Sequence, residues 1–304
     1  MGLTLSFTPA SAGVFSCYNT SMSYLVDTHC HLHDREFFSE TQAEEMLKRA
    51  HEKGVEKIIC IGTSHEDSLA AADFAESHED VYWTYGIHPE YAAQMTGPVA
   101  ISHSRPCPSG PSPWADGTNS RAAALRNAAS SGYWRHPSSK SATRPVAIGE
   151  VGLDYHYDGY DRQAQIQLFE EMLQLATDNN LPVSFHVREA FNDFFPVVAN
   201  FPKIRGVVHS FSDNKKNLRR ILNETDFYVG VNGMATYSTL PTPPIERMLL
   251  ETDAPFLTPK PFRGIINEPA YVPAIAEWLA VKLGLNYQII ERETTKNAEE
   301  IFHI

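Results

Sequence analysis

Residues 146–157 read VAIGEVGLDYHY, and the fold turns on how this stretch is read. From Val146 to Leu153 the run is almost unbroken in apolar character, with one carboxylate, Glu150, lodged between Gly149 and Gly152. A strand this apolar buries both faces, which is the habit of parallel sheets covered by helices and not of one-sided antiparallel sheets. A carboxylate inside such a strand must be paired or metal-bound, because burying it alone costs several kcal/mol.

Working outward, similar runs stand at Tyr24–His31, Val55–Gly62, Val81–Ile87, Pro182–Val187, Gly206–Phe211, Asp226–Val231 and Arg247–Thr252. Helical spacing separates most of them. Glu40–Lys53 and Glu66–Glu79 carry it, and in Asp161–Asn179 one face is marked by Ile166, Phe169, Met172, Leu173 and Ala176. Further helices are expected at 189–200, 213–224, 269–283 and 287–302. Eight strands alternating with helices predict an α/β fold, a (β/α)8 TIM barrel. An open doubly wound sheet is the alternative, but no phosphate-cradling Gly-rich turn follows any strand.

The rhythm breaks twice. Residues 96–145 are crowded with Ser, Pro, Gly and Arg, and Asp116 is their one acidic residue in a chain of net charge −12. We read them as a disordered insertion after strand three within a barrel domain spanning 22–304. Tyr237–Glu246, between strands seven and eight, is Pro-rich and too short for an ordinary crossover helix, so the seventh helix is expected to be absent or vestigial.

Composition bounds the function. Hydrophobic content of 42% with 20% charged residues fits a globular domain, and no apolar run is long enough to span a bilayer. The acidic balance argues against a basic, sequence-reading nucleic-acid binder, yet leaves room for a nuclease whose cations are bound metals. Cys17, Cys30, Cys60 and Cys107 have no zinc-finger or CxxC spacing and are expected as free thiols. Residues 1–21 lack the pattern of a secretory signal and are read as a disordered extension upstream of Met22. Gly2 with Ser6 fits the loose myristoylation pattern, which is often matched by chance. The expected location is the cytoplasm, and the expected state a monomer.

Catalytic residues of barrels sit at the C-terminal ends of strands. Strand one leads into LVDTHCHLH, where His29 and His31, two apart, point to the same side and make half of a metal site. The bland alternative is one buried, hydrogen-bonded His and one solvent-facing His. His33 lies beyond the strand and is a weaker candidate. Asp154 follows Glu150 and either orients a ligand or caps a loop. Strand five, PVSFHVRE, ends at His186 with Arg188 two residues on, and strand six, GVVHSFSD, supplies His209. Strand eight, MLLETDAPFLTP, leads to Asp253 with Glu251 on the same side. One carboxylate there suits metal ligation and work as a general base, and the other would shape its surroundings. Taken together, His29, His31, Glu150, His186, His209 and Asp253 are too many ligands for one zinc and suit two divalent ions sharing a carboxylate.

The stretches DTHCHLH, YGIHPEYA, VAIGEVGLDY, PVSFHVRE, GVVHSFS, FYVGVNG and LLETDAPFLTP with RGIINEPAYV resemble the TatD family of metal-dependent deoxyribonucleases. The resemblance runs from about Leu25 to Val272, leaving out the insertion. It implies that His29, His31 and Asp253 bind one metal, that His186 and His209 bind the other, and that Glu150 bridges the two. It also implies hydrolysis of DNA phosphodiester bonds from the 3′ end in the cytosol, with His88 and Arg188 near the scissile phosphate. The metals would be Mg2+, Mn2+ or Zn2+, and DNA would be held through phosphate and metal with little base readout. Two features depart from the family: a compact helical segment is replaced by 96–145, and the helix between strands seven and eight is missing. The rival readings are a carbonyl-bond hydrolase, such as a deacylase of mischarged tRNA, on the same ligands, and a barrel too impaired to turn over.

Overall fold

The computed structural model describes residues 24–95 and 144–304. Eight parallel strands follow one another around a single sheet in chain order: β1 (Leu25–Cys30), β2 (Val55–Cys60), β3 (Val81–Tyr85), β4 (Ala147–Asp154), β5 (Val183–Arg188), β6 (Gly206–Val208), β7 (Tyr228–Val231) and β8 (Met248–Leu250). The outer helices are α1 (Glu40–Glu52), α2 (His65–Glu76), a single turn α3 (Ala92–Met95), α4 (Arg162–Asn179), α5 (Phe191–Ala199), α6 (Lys215–Glu224), α7 (Val272–Leu283) and α8 (Tyr287–Phe302). This is the expected barrel and not the open sheet.

Closure joins β8 to β1 through the chain just beyond β8. Asp253 N donates to His29 O and His31 N donates to Ala254 O, both at 2.8 Å, so the last strand pair forms at the mouth of the barrel. Below it, the buried Asp27 carboxylate accepts from the backbone N–H and the hydroxyl of Thr252, at 2.9 and 2.5 Å.

Helix α4 begins where the Asp161 side chain accepts from Ala164 N and ends at Asn180 in the left-handed region, a conformation Asn tolerates. Its expected apolar face is the one it buries. Phe169 meets Phe185 of β5 and Phe194 of α5, each at a 6.0 Å ring separation. Inside the barrel, Ile59, Ala147, Val207 and Leu249 come from the even-numbered strands and share a cluster with Val26 and with Ala298, Ile301 and Phe302 of α8. Helix α8 thus packs on the N-terminal end of the barrel, where Thr295 Oγ1 donates to Tyr24 O. The C-terminal end is left for chemistry.

Between β7 and β8 there are only two short 3-10 turns, Gly233–Thr236 and Ile245–Arg247, so the seventh helix is missing as expected. Two residues compensate. Arg247 donates to the carbonyls of Thr225 and Phe227, and Asn297 of α8 donates to those of Ile245 and Met248. The proposed insertion, apart from Arg144 and Pro145, lies outside the described residues, as do the N-terminal extension, Gly2, Cys17 and Cys107. Cys30 and Cys60 are buried free thiols. Among the described residues no helix is long and apolar enough to cross a membrane.

Candidate metal centre

The strands bring the six candidate ligands, with His88 and Arg188, to one mouth. His29 lies within β1 and His31 one residue past it; Glu150 is mid-β4, His186 and Arg188 belong to β5, His209 follows β6, and Asp253 follows β8. His88 sits three residues beyond β3, as the cap of the turn Pro89–Tyr91. A cavity of about 690 Å³ opens over them, lined among others by His31, His88, Glu150, His186, His209 and Asp253. Ser210 and Asp253 hold φ of 47° and 59°, unusual for residues with a Cβ and frequent where loops aim functional side chains. Gly152 is required by the packing. Its φ is +150°, and a Cβ there would stand 1.9 Å from the His186 carbonyl oxygen, so only glycine lets β4 and β5 approach as they do.

Glu150 faces both halves of the cluster. Its Oε1 lies 2.5 Å from His186 Nδ1 and 2.7 Å from His209 Nε2, while Oε2 stands 3.5 Å from His29 Nε2. His29 Nε2 is also 3.5 Å from Asp253 Oδ1, and His31 Nε2 is 3.6 Å from the same oxygen. These last separations are long for hydrogen bonds, and neither ring nitrogen of buried His29 has a hydrogen-bond partner. They match the roughly 3.4 Å between two ligands of one tetrahedral ion with bonds near 2.0–2.2 Å. The donor set therefore fits divalent metal. Among the described residues, three groups have ligand atoms within 4.8 Å of one another: His29–His31–Asp253, His29–Glu150–His209 and His88–Asp154–His186.

The charges are arranged to suit. Burial opposes ionisation of Glu150, but His209, His186 and His29 outweigh it and hold the carboxyl well below its usual range. Burial, with His209 beside it, pushes His29 down to about 4, leaving a neutral ring with a free lone pair. His186 is raised to about 9 because Asp154 and Glu150 more than offset its burial. Burial likewise takes His88 down to about 4. Glu90 N donates to His88 Nδ1, so the single proton of that ring sits on Nε2, which points toward Glu150 Oε1 at 3.7 Å. Arg188 reaches the same cavity with its guanidinium 5.2 Å over the Tyr157 ring.

Asp154 is the last residue of β4 and not a turn residue, and its Oδ2 lies 2.9 Å from His186 Nε2. His33 does not join the centre; its Nε2 pairs with Asp67 Oδ1 at 2.9 Å. Glu251 is fully buried, and burial raises it to about 8 while its Oε1 accepts from Ser210 N. Sequence reasoning missed Asp27 as the closing residue. An acidic residue in the apolar run before HxH signals a buried, paired carboxylate, but its partner lies 225 residues away and local spacing does not name it.

Set beside known proteins, residues 26–303 match the family described as TatD related DNase. The chain belongs to the TatD family of metal-dependent hydrolases. Similar chains include an uncharacterized metal-dependent hydrolase, YabD, of Bacillus subtilis, 30% identical over 92% of this chain and 99% of the relative. Another is named 3'-5' ssDNA/RNA exonuclease TatD, from Pantoea ananatis, 31% identical over 85% of this chain and 92% of the relative. The solved structure of YJJV, a TatD homolog of Escherichia coli, overlays with a TM-score of 0.72 at 25% identity, covering 92% of this chain and 98% of the other. The TatD fold thus extends over the chain on both sides of residues 96–143.

Proposed function

We propose that this chain hydrolyses phosphodiester bonds of single-stranded DNA, removing nucleotides from the 3′ end with the help of two divalent ions. The carrying observation is Glu150, whose two oxygens face different sets of imidazoles and so suit a carboxylate shared between two ions. His29, His31 and Asp253 would hold one ion, and His186 and His209 the other. When bound, such ions act as Lewis acids on a phosphoryl oxygen and lower the pKa of an attacking water. Name and sequence of the Pantoea ananatis relative support the choice of substrate.

The remaining work falls to side chains. Asp253 is depressed by His31, His29 and His209 against its own burial, so it is ionised at neutral pH and can take a proton from water as general base. Arg188 brings a fixed positive charge to the cavity, and His88 Nε2–H is a neutral donor, so together they can steady charge on the phosphoryl oxygens.

The test is digestion of single-stranded DNA by protein stripped of metal and then given magnesium, manganese or zinc, with Asp253→Asn alongside. Restored cleavage that disappears in the variant is the expected result. A cooperatively folded protein that cleaves acyl esters and no DNA would overturn the phosphodiester reading in favour of carbonyl chemistry.

A further inference from the structure

Two large apolar rings stand unexpectedly bare beside this centre. Phe37 and Phe256 are 46% and 49% exposed, and their rings meet edge to face at 5.3 Å. They come from loops on the two sides of the barrel closure. In the first loop, Asp34 O accepts from both Phe37 N and Phe38 N, and Phe38 is buried as an anchor, which turns Phe37 outward. In the second, Phe256 N donates to Asp253 O at 2.8 Å, fixing the ring's loop to the general base itself. Both rings line the cavity that holds Glu150 and Asp253, and Tyr157, 66% exposed, stands in its lining too. A bare aromatic patch at the mouth of a site is costly unless a ligand covers it.

The charges around the patch identify the ligand surface. Asp34, Glu36 and Glu90 line the same cavity, and Arg188 is the one lysine or arginine among its described lining residues. Among the described residues a strand laid across this lip finds little cation for its phosphates beyond the reacting one, so the affinity these residues add has to come from elsewhere. Every base offers a π-face, and aromatic side chains stack on it without regard to sequence. A duplex keeps its bases paired inside and presents phosphates outward, where they would meet the acidic lip.

Resting on the phosphodiesterase reading, we infer that Phe37 and Phe256 form a stacking platform for an unpaired nucleobase beside the scissile phosphate, and that this platform selects single strands over duplexes. Both side chains are half exposed, so truncating them leaves the core intact.

The experiment uses the manganese-loaded full chain with Phe37→Ala, Phe256→Ala, the double variant and Phe256→Trp. Binding is read from quenching of 2-aminopurine fluorescence near the 3′ end of a phosphorothioate-linked single strand, and turnover from oligothymidylate and from methyl p-nitrophenyl phosphate. The parent quenches the probe. Each alanine variant loses quenching and raises KM for oligothymidylate on the order of tenfold, the loss expected of one base–aromatic stack, while kcat and the small phosphodiester are unchanged. Phe256→Trp keeps the parental KM. Parental quenching and KM in the alanine variants overturn the platform, as does an equal fall in turnover of both substrates. If the parent hydrolyses neither substrate, the phosphodiesterase reading fails, while the quenching comparison still decides the platform.

Discussion

Asp27 and Thr252 close the barrel: the Asp27 carboxylate, at the first strand, accepts from both the backbone N–H and the hydroxyl of Thr252, 225 residues later, and from His29 N at 3.3 Å. Burial raises this carboxyl to about 7, against the pull of those hydrogen bonds. Removing it in Asp27→Ala leaves buried donors without acceptors at the one seam that lacks a regular strand ladder. The expected cost is about 3 kcal/mol, seen as a fall in Tm on the order of 6–12 °C for a domain of this size. Thermal denaturation of parent and variant, both free of metal, measures it. An unchanged Tm would mean that the backbone bonds from Asp253 and His31 close the barrel unaided.

Asp154 sets the tautomer of His186. In the neutral ring that metal ligation requires, the carboxylate accepts at Nε2 and leaves the lone pair on Nδ1, the nitrogen that faces Glu150 and the ligand cluster. In Asp154→Asn an amide can donate to Nε2, which sends the ring proton to Nδ1 and blocks ligation there. Gln165 touches Asp154 only through its backbone, so the local fold has no reason to move. Metal affinity measured by titration calorimetry should fall about 10- to 100-fold, and parental affinity would remove Asp154 from this role.

The barrel and the gathering of the candidate ligands at one mouth were legible because both rest on local patterns. Eight apolar runs such as Val146–Leu153 announce parallel strands; His29, His31, His186, His209 and Asp253 stand at or just past strand ends where a barrel gathers side chains, and Glu150 is the lone carboxylate inside such a run. Asp154 was legible only as an alternative, because choosing between loop cap and positioning residue needs its distance to His186. Asp27 and the Phe37–Phe256 pair were not legible. Each depends on a partner more than 200 residues away across the closure, and nothing in a one-dimensional spacing fixes that register. Phe37 and Phe38 are identical in sequence and opposite in fate, and only the turn at Asp34 decides which one is buried.

Glu150→Gln tests whether one carboxylate serves two ions. The amide keeps the shape but loses the charge that faces four imidazoles, with His186 and His209 nearest and His29 and His88 farther out. Metal content measured by plasma emission after equilibration should drop from two ions per chain to one or none. In the parent, metal at about a hundred times its Kd adds about 2.7 kcal/mol of stability, and most of the resulting rise in Tm should vanish in the variant. Two ions retained by Glu150→Gln would defeat the shared-carboxylate arrangement.

Acid sensitivity on the outer ring should trace to Asp193. Its carboxylate on α5 takes paired hydrogen bonds at 2.6 Å from Arg162 of α4 and a third, at 2.8 Å, from the Tyr155 hydroxyl. Arg162 first, and Tyr155 after it, hold the carboxyl below its ordinary value against a smaller opposing effect of burial. Because the folded pKa is depressed, the folded state binds fewer protons than the unfolded one across this window, and stability rises with pH there. The contribution is fully present above the unfolded carboxyl's pKa of about 3.9 and is lost as pH falls through the lower folded value. Asp193→Asn removes the charge at every pH. Tm against pH should therefore show a constant gap between parent and variant above roughly pH 5, closing as the pH drops toward about 2. Arg162 is exposed and Asp193 only partly buried, so the gap should be small and should shrink in high salt. A gap that stays the same down to the acid limit would assign the loss to hydrogen bonding and packing, with no part played by the charge on Asp193.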